Sequence, residues 1–318
     1  MPEIIDTPPK LVTDEIKALR KLLKKSISKK TTDNLLIATW NIRAFGDLTE
    51  KWEAGPNDSP TRDLHSLLCI IEIIKSFDII AVQEVKDNIK CLRSTMAMLG
   101  NNWSFLMTDT TKGDAGNGER LAFIFNTKRV KLSGLACEIV VPAEQLANNI
   151  SSDALDKQFA RTPYAVSFKV KDKTLILLTL HVLYGDSEAD RIPELKAIAD
   201  WMYDWAKKLN KWEHSLITLG DFNIERADDP AYNAFVSKNL FIPEDIRALP
   251  RTIFKELKFY DQIGWYINSS SVSQISLSYV KGGIFDFRDS VLKARNYNLT
   301  QLSFRISDHF PLWVEFAI

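Results

Sequence analysis

Short apolar runs rich in β-branched and aromatic residues recur along the chain and predict β-strands. These runs span residues 35–39, 79–82, 121–125, 164–170, 175–180 and 216–219. Two other stretches, 61–76 and 188–206, repeat apolar residues at helical spacing and predict amphipathic helices. Residues 171–174 separate two predicted strands and indicate a hairpin turn. Hairpins mixed with helical crossovers predict an α/β fold of the α+β type, with partly antiparallel sheets and helices outside them.

The start of the chain predicts an arm over residues 1–9, followed by a helix that Thr13 can cap. The apolar side of this helix comprises Ile16, Leu19, Leu23 and Ile27, and its basic side comprises Lys17, Arg20, Lys21, Lys24 and Lys25. Two interpretations stay open. The basic side could contact a membrane surface or nucleic acid, or it could be the solvated face of a helix packed on the domain.

Composition and charge are those of an ordinary globular protein of 318 residues, with 45% hydrophobic and 26% charged residues. No apolar run approaches the length of a membrane span, so no integral membrane segment is predicted. The net charge is zero, but residues 10–30 hold eight basic and two acidic residues, which leaves the remainder net acidic. This distribution argues against a broad basic nucleic-acid-binding surface.

The cysteines and the N-terminus bear on the cellular compartment. Cys69, Cys91 and Cys137 are far apart and lack metal-ligand spacing, so we expect free thiols in a reducing compartment. The first residues lack a basic segment followed by an apolar core, so no secretory signal is predicted. We therefore expect a cytoplasmic protein, and we expect it to be a monomer.

Polar side chains capable of chemistry follow several of the predicted strands. They are Asn41, Glu84, His181, Asp221, Asn223 and, before the last strand, Asp308 and His309. Each has a structural alternative when taken alone: a salt bridge for Glu84, a turn for Asn41 and for 220–223, and a buried core position for His181. Together they offer carboxylates, amides and imidazoles, which bind hard divalent cations and move protons. Because these positions run from Asn41 to His309, we predict one catalytic domain over 35–318, preceded by an arm and basic helix over 1–34.

Eight short stretches in order along the chain resemble those of the endonuclease/exonuclease/phosphatase superfamily, most closely its deoxyribonuclease I branch. They are 39–46, 83–87, 119–123, 161–163, 180–181, 220–223, 260–263 and 306–311. The resemblance implies a four-layer sandwich of two mostly antiparallel β-sheets flanked by helices. It also implies a site at one edge of the sheets that uses Mg²⁺, or Mn²⁺ or Ca²⁺.

The same resemblance implies roles for individual residues. Those at the metal would be Asn41, Glu84 and Asp308, with Asp221 and Asn223 on the opposite side of the phosphate. We expect all five side chains to converge in one cation-sized pocket. The catalytic pairs would be His309 with Asp261, acting with Asp221 on water, and His181 with Glu119 on the leaving side. The phosphate contacts would be Arg43, Lys86, Arg161 and Asn223.

Two features depart from the deoxyribonuclease branch. Residues 116–118 are Gly-Asn-Gly, where that branch carries an aromatic residue that enters the DNA minor groove, and the disulfide cysteines of the secreted enzymes are missing. We predict a metal-dependent phosphodiesterase, a nuclease acting on DNA. The alternatives are a phosphatase or a sphingomyelinase-like phospholipid phosphodiesterase of the same superfamily, and a non-catalytic binding module.

Overall fold

Two six-stranded β-sheets lie face to face in the computed structural model, with helices on their outer surfaces. The structure describes residues 7–111, 117–139, 161–209, 215–255, 258–267, 270 and 273–318. The first sheet has the order β11-β12-β1-β2-β4-β3 and the second β5-β6-β7-β8-β10-β9. The predicted four-layer sandwich is confirmed.

The strand bounds follow chain order. They are β1 Asn34–Phe45, β2 Ile79–Lys86, β3 Trp103–Met107, β4 Glu119–Asn126, β5 Lys131–Glu138, β6 Tyr164–Val170, β7 Lys173–His181, β8 Ser215–Asp221, β9 Leu240–Phe241, β10 Asp261–Tyr266, β11 Ser278–Ile284 and β12 Leu312–Ala317. The helices among the described residues are α1 Lys10–Ser26, α2 Leu64–Ile74, α3 Lys90–Leu99, α4 Ile192–Leu209, α5 Pro230–Val236, α6 Glu244–Arg247 and α7 Leu299–Arg305.

The side chains of β1 show why its sequence is an almost unbroken apolar run. Leu35 and Ile37 face the core between the two sheets, whereas Leu36, Ala38 and Trp40 face the core between the first sheet and its helices. Successive residues of a strand point to opposite faces, so a strand covered on both faces needs apolar residues at every position.

Each sheet contains one parallel pair of strands near its centre, and all its other pairings are antiparallel. In the first sheet β1 is parallel to β2, and α2 lies in the connection; in the second sheet β7 is parallel to β8, and α4 lies in the connection. The carboxyl ends of two parallel strands meet at the same edge of a sheet. The ends of β1, β2, β7 and β8 carry the polar residues predicted to form the site.

Helix α1 packs on the domain through the predicted apolar stripe. Its apolar side chains join the core beside α2, and Arg20 donates to both oxygens of Glu72 at 2.7 and 2.8 Å. The packing agrees with the second interpretation of this helix. The predicted cap was wrong: the helix begins at Lys10, and the Thr13 hydroxyl lies inside it and donates to the Pro9 carbonyl. Residues 1–6 of the predicted arm lie outside the described residues.

The structure also bears on the cysteines and on membrane-spanning segments. Cys69, Cys91 and Cys137 are free thiols, the first two buried and the third half-buried. Over the described residues, no helix is both long and apolar enough to cross a membrane.

Candidate active site

Irregular backbone at the ends of β1 and β2 directs the side chain of Glu84 toward β1. The pairing of these strands is regular up to Asn41, then shifts in register. Glu84 and Ala44 both adopt positive φ angles, 60° and 46°, and the Glu84 carboxylate accepts a hydrogen bond from the Ala44 amide at 2.8 Å. The predicted strands, which ended at residues 39 and 82, were too short because such bulges re-aim side chains without ending the strand.

Gly220 lies within β8 and not in the turn predicted for 220–223. A glycine is needed there because β7 and β8 approach closely. It pairs within β8 with Leu180 of β7, and its φ angle is 148°. A Cβ atom at this position would lie 2.1 Å from the Leu180 carbonyl oxygen. Only glycine therefore allows β7 and β8 to approach closely enough to set His181 beside Asp221.

His309 forms a buried pair with Asp261. Its Nδ1 lies 2.7 Å from an Asp261 carboxylate oxygen, and its backbone carbonyl accepts from the Trp40 indole at 2.8 Å. Burial lowers the pKa of His309, but the charges of Asp261 and Asp221 outweigh burial and raise this pKa well above its usual value. The pair holds the imidazole in one orientation and stabilises its protonated form.

His181 forms the second predicted pair, with Glu119. Its Nδ1 lies 3.1 Å from a Glu119 oxygen, and both side chains are buried. Glu119 also contacts Arg161, Lys86 at 2.7 Å and Asn117 at 2.8 Å. Burial raises the pKa of Glu119, but His181, Arg161 and Lys86 outweigh burial and hold the pKa far below its usual value. Glu119 is therefore a carboxylate that orients the imidazole.

Asp221 lies between the two histidines. Its Oδ2 is 3.7 Å from His181 Nε2 and 3.8 Å from His309 Nε2, and it accepts from the Asn41 amide at 2.9 Å. Burial raises the pKa of Asp221, but the two imidazoles outweigh burial and lower it. Two imidazole–carboxylate pairs thus turn their free nitrogens toward one buried carboxylate.

The end of β1 contacts all three carboxylates predicted near the cation. Asn41 donates to Asp221, Arg43 lies 3.5 Å from Asp308, and the Ala44 amide donates to Glu84. These contacts fall within four consecutive residues, so they gather carboxylates from three distant parts of the chain at the end of one strand.

The chemistry of Asn41 fits a cation. Its amide nitrogen faces Asp221, whose ionised carboxylate can only accept, so its oxygen must face away. That Oδ1 is buried and has no hydrogen-bond partner. A buried acceptor without a partner is costly, and a bound cation would satisfy it. Asn41, Glu84 and Asp308 are therefore the side chains that would hold the ion.

A second group of side chains is also close enough together to bind a metal ion. Among the described residues, Asp221, Asp261 and His309 offer ligand atoms that lie within 4.8 Å of one another. However, the Asp261–His309 hydrogen bond already uses one ring nitrogen and one carboxylate oxygen. A metal bound there would have to replace this hydrogen bond, whereas the Asn41 oxygen has no partner to give up.

The four residues predicted to contact phosphate differ in how available their side chains are to a substrate. Arg43 is half-exposed, and its guanidinium stacks 3.9 Å from the ring centre of Phe304. Lys86 and Arg161 both reach Glu119. The Asn223 amide donates to the Val182 carbonyl at 2.7 Å, which turns its nitrogen away from the cleft. Arg43 is thus the best placed of the four to meet a substrate phosphate.

Comparisons with known proteins identify the family of this chain. A family model described as Endonuclease/Exonuclease/phosphatase family matches residues 38–309. The chain belongs to this family. The match confirms the resemblance stated from the motifs, and it begins within β1 and ends at His309.

Two curated relatives of this family member are deoxyribonucleases. One, from Thioalkalivibrio sp. (strain K90mix), is 26% identical over 298 residues, covering 89% of this chain and 71% of the relative. Deoxyribonuclease-1 of Bos taurus is 24% identical over 306 residues, covering 88% and 92%. A solved mannosyl-6-phosphatase from Bacteroides thetaiotaomicron superimposes with a TM-score of 0.57 at 18% identity, covering 89% of this chain and all of that one. At that identity the superposition shows the shared fold.

Three buried arginines brace the segments that carry the site, and their bracing role was not predicted from the sequence. Arg62, Arg191 and Arg251 are all at most 2% exposed. Arg191 donates to the Asn223 carbonyl and Arg251 to the Asp261 carbonyl, at 2.8 and 2.7 Å. Backbone carbonyls are present at every residue, so no side-chain pattern in the sequence indicates which of them an arginine contacts.

Arg62 joins the end of β1 to the end of α7. Its guanidinium donates to the carbonyls of Arg43 and Ala44 in β1, and to those of Arg305 and Ile306 at the end of α7, at 2.6 to 3.2 Å. The first segment carries Arg43, and the second leads to Asp308.

Replacing Arg62 by methionine should destabilise the chain by about 3 kcal/mol or more, because four buried carbonyls lose a charged donor. Urea unfolding followed by circular dichroism measures this loss. Arg93→Met, at an exposed position on α3, is the matched control and should change stability by less than about 0.5 kcal/mol. Equal stability of the two variants would contradict the bracing role.

Proposed function

We propose that this member of the family is a divalent-metal-dependent phosphodiesterase, and that its substrate is DNA. The observation that carries the proposal is the pair of imidazoles, each with its own carboxylate, whose free nitrogens lie 3.7 and 3.8 Å from Asp221. A binding module has no use for two separate imidazole–carboxylate pairs around one buried carboxylate, whereas general acid–base catalysis uses both.

The two pairs have different surroundings, which suggests different roles. His309 contacts Asp261, which fixes the orientation of its ring and stabilises the imidazolium, so the neutral imidazole can take a proton from water. Asp221 faces it and can orient that water. His181 lies on the other side of Asp221 and can stabilise or protonate the leaving oxygen. A cation held by Asn41, Glu84 and Asp308 would neutralise charge on the phosphate oxygens.

The choice of DNA rests on the two deoxyribonuclease relatives and on the position of the half-exposed Arg43 beside Asp308. A phosphomonoesterase remains the second candidate, because the mannosyl-6-phosphatase shares the fold. Hydrolysis of a phosphodiester and of a phosphomonoester would use the same cation and the same attacking water. The two substrates differ in the groups attached to the phosphate.

One assay panel separates these functions. Purified protein is incubated with Mg²⁺ or Mn²⁺ and, in parallel, with plasmid DNA, a single-stranded oligonucleotide, RNA, mannose 6-phosphate and sphingomyelin. We expect cleavage of DNA that EDTA abolishes. Release of phosphate from the monoester without DNA cleavage would replace the proposal by a phosphatase, and inactivity on every substrate would leave a binding module.

Replacing Arg43 by alanine should weaken DNA binding and reduce the slope of log K against log salt by about one unit, because one phosphate contact is lost. Fluorescence anisotropy at several salt concentrations measures both quantities. Lys128→Ala is the control: this exposed lysine follows β4 at the end opposite Glu119, and its loss should leave the slope unchanged. An unchanged slope in Arg43→Ala would make Arg43 a structural residue.

A further inference from the structure

An exposed aromatic side chain lies near the candidate site. Tyr184 follows His181 by three residues, and 52% of it is exposed. Single exposed apolar residues are common and need no explanation by themselves. Tyr184 differs because neighbouring side chains hold its ring in place and because it continues a row of rings into the site.

Tyr184 is fixed by a buried arginine and by a second tyrosine. The Arg191 guanidinium lies 4.5 Å from the centre of the Tyr184 ring, and Arg191 also donates to the Tyr184 carbonyl. The Tyr260 ring meets it edge to face, with ring centres 6.5 Å apart and planes at 70°. Arg191 is itself only 2% exposed and is anchored on Asn223, so the tyrosine ring rests on a rigid support. A ring fixed in this way loses little conformational entropy when a ligand stacks on it.

Tyr260 connects this exposed ring to the buried imidazole of His309. Its ring stacks on the His309 imidazole, with centres 5.6 Å apart and planes inclined at 28°. Tyr184, Tyr260 and His309 therefore form a continuous row that leads from the surface to the imidazole beside Asp221. The Tyr184 ring lies two ring-to-ring steps from the His309 imidazole, and a planar group resting on it would lie one step farther out.

The charge of the chain favours a contribution from stacking. The net charge is zero, and the positive excess lies in residues 10–30, while Lys86 and Arg161 are already engaged by Glu119. A polynucleotide held near such a surface gains little from phosphate neutralisation, which normally dominates affinity. Aromatic rings supply affinity that does not depend on net charge.

We propose that Tyr184 is a stacking subsite for an unpaired nucleobase of the bound strand, so that the preferred substrate is single-stranded DNA. Bases inside a duplex have both faces covered by their neighbours and cannot rest on an exposed ring; unpaired bases can. The inference deepens the proposed DNA phosphodiesterase function and rests on it for the identity of the reacting group.

The test measures binding of full-length protein to three fluorescent 12-mers of equal backbone length: single-stranded oligo-dA, the same backbone carrying abasic residues, and a duplex. Anisotropy is recorded in EDTA, so that binding is separated from metal-dependent hydrolysis. Tyr184→Ala should bind oligo-dA about 5- to 150-fold more weakly than the wild type, the range typical of one lost base–aromatic stack. Binding of the abasic strand should be unchanged, and Tyr184→Phe should retain wild-type affinity for both strands.

Two further variants guard against structural effects. Tyr184→Leu keeps an apolar side chain over Arg191 but removes the ring, and it should lose affinity as Tyr184→Ala does, with an unchanged unfolding temperature. Leu132→Ala alters another exposed apolar residue, which pairs with Phe168 at the end of the second sheet opposite His181, and it should have no effect.

The outcomes distinguish this inference from the proposed function. Equal weakening on oligo-dA and on the abasic strand, unchanged binding of oligo-dA, or tighter wild-type binding of the duplex would each overturn the stacking subsite. If the wild type binds oligo-dA through Tyr184 but hydrolyses no oligonucleotide with Mg²⁺ or Mn²⁺, the subsite stands and the phosphodiesterase function fails. If DNA is cleaved and Tyr184→Ala binds every strand normally, only the subsite fails.

Discussion

Replacing His309 by alanine is expected to slow the hydrolysis of DNA by about 10²–10⁴-fold, the usual contribution of a general acid–base group. His309 is buried, bonded to Asp261 at 2.7 Å, and turned toward Asp221, so no water molecule can reproduce its position and basicity together. Single-turnover rates on metal-loaded, folded variants measure the effect. His181→Ala should give a loss of the same order, because its contact with Glu119 places it on the other side of Asp221.

Two variants separate catalysis from stability in this experiment. Asp261→Asn keeps the size of the side chain but removes the charge that stabilises the imidazolium, so the rate should fall while the fold is retained. His65→Gln changes a fully buried histidine that pairs with Glu15 between α1 and α2, away from the site. It should lower stability and leave the rate of the folded enzyme unchanged. Near-wild-type rates in both His309→Ala and His181→Ala would mean that the two imidazoles do not carry the reaction.

The central strands could be predicted from the sequence because burial on both faces makes them continuous apolar runs, as in β1 and β8. Two of the strands that were missed have a different character. β5 is mostly exposed and β9 has only two residues, so neither contains the apolar run that the prediction used. These two strands form because they pair with β6 and β10, and their own sequences do not indicate that pairing.

The site could be located from the sequence because its residues follow those same central strands and match a family pattern. The roles of single residues were harder to predict. Lys86 and Arg161 carry charges suited to a phosphate, yet both contact Glu119, which is over thirty positions from either in the chain. The unsatisfied Asn41 oxygen depends on which way its amide faces, and only the position of Asp221 decides that.

Replacing Glu84 by glutamine is expected to weaken divalent-cation binding by more than about 10–100-fold, the loss caused by removing a residue that merely supports a ligand. The substitution preserves the size of the side chain and its contact with the Ala44 amide, and it removes the negative charge. Glutamine still offers one neutral oxygen, so the loss reports the charge of the ligand set. Asp308→Asn should also weaken cation binding, because it removes the second negative charge of the set formed by Asn41, Glu84 and Asp308. Asp308 lies half-exposed beside Arg43. Calorimetric titration with Mg²⁺ and Mn²⁺ measures the affinities without reference to activity.

The matched control for this titration is Asp172→Asn, which removes a carboxylate from the exposed turn between β6 and β7, at the end of the second sheet opposite His181. It should leave the affinity unchanged, because water and salt screen a charge at that distance. Asn41→Ala provides the decisive comparison, since it deletes the unpartnered buried oxygen without changing the net charge. If Glu84→Gln and Asn41→Ala both retain wild-type affinity while Asp261→Asn loses it, the ion binds instead at Asp221, Asp261 and His309, and His309 cannot act as the base. Loss of affinity in Glu84→Gln and Asn41→Ala, with Asp261→Asn unaffected, would place the cation at the end of β1 and leave the imidazole pair free to move protons.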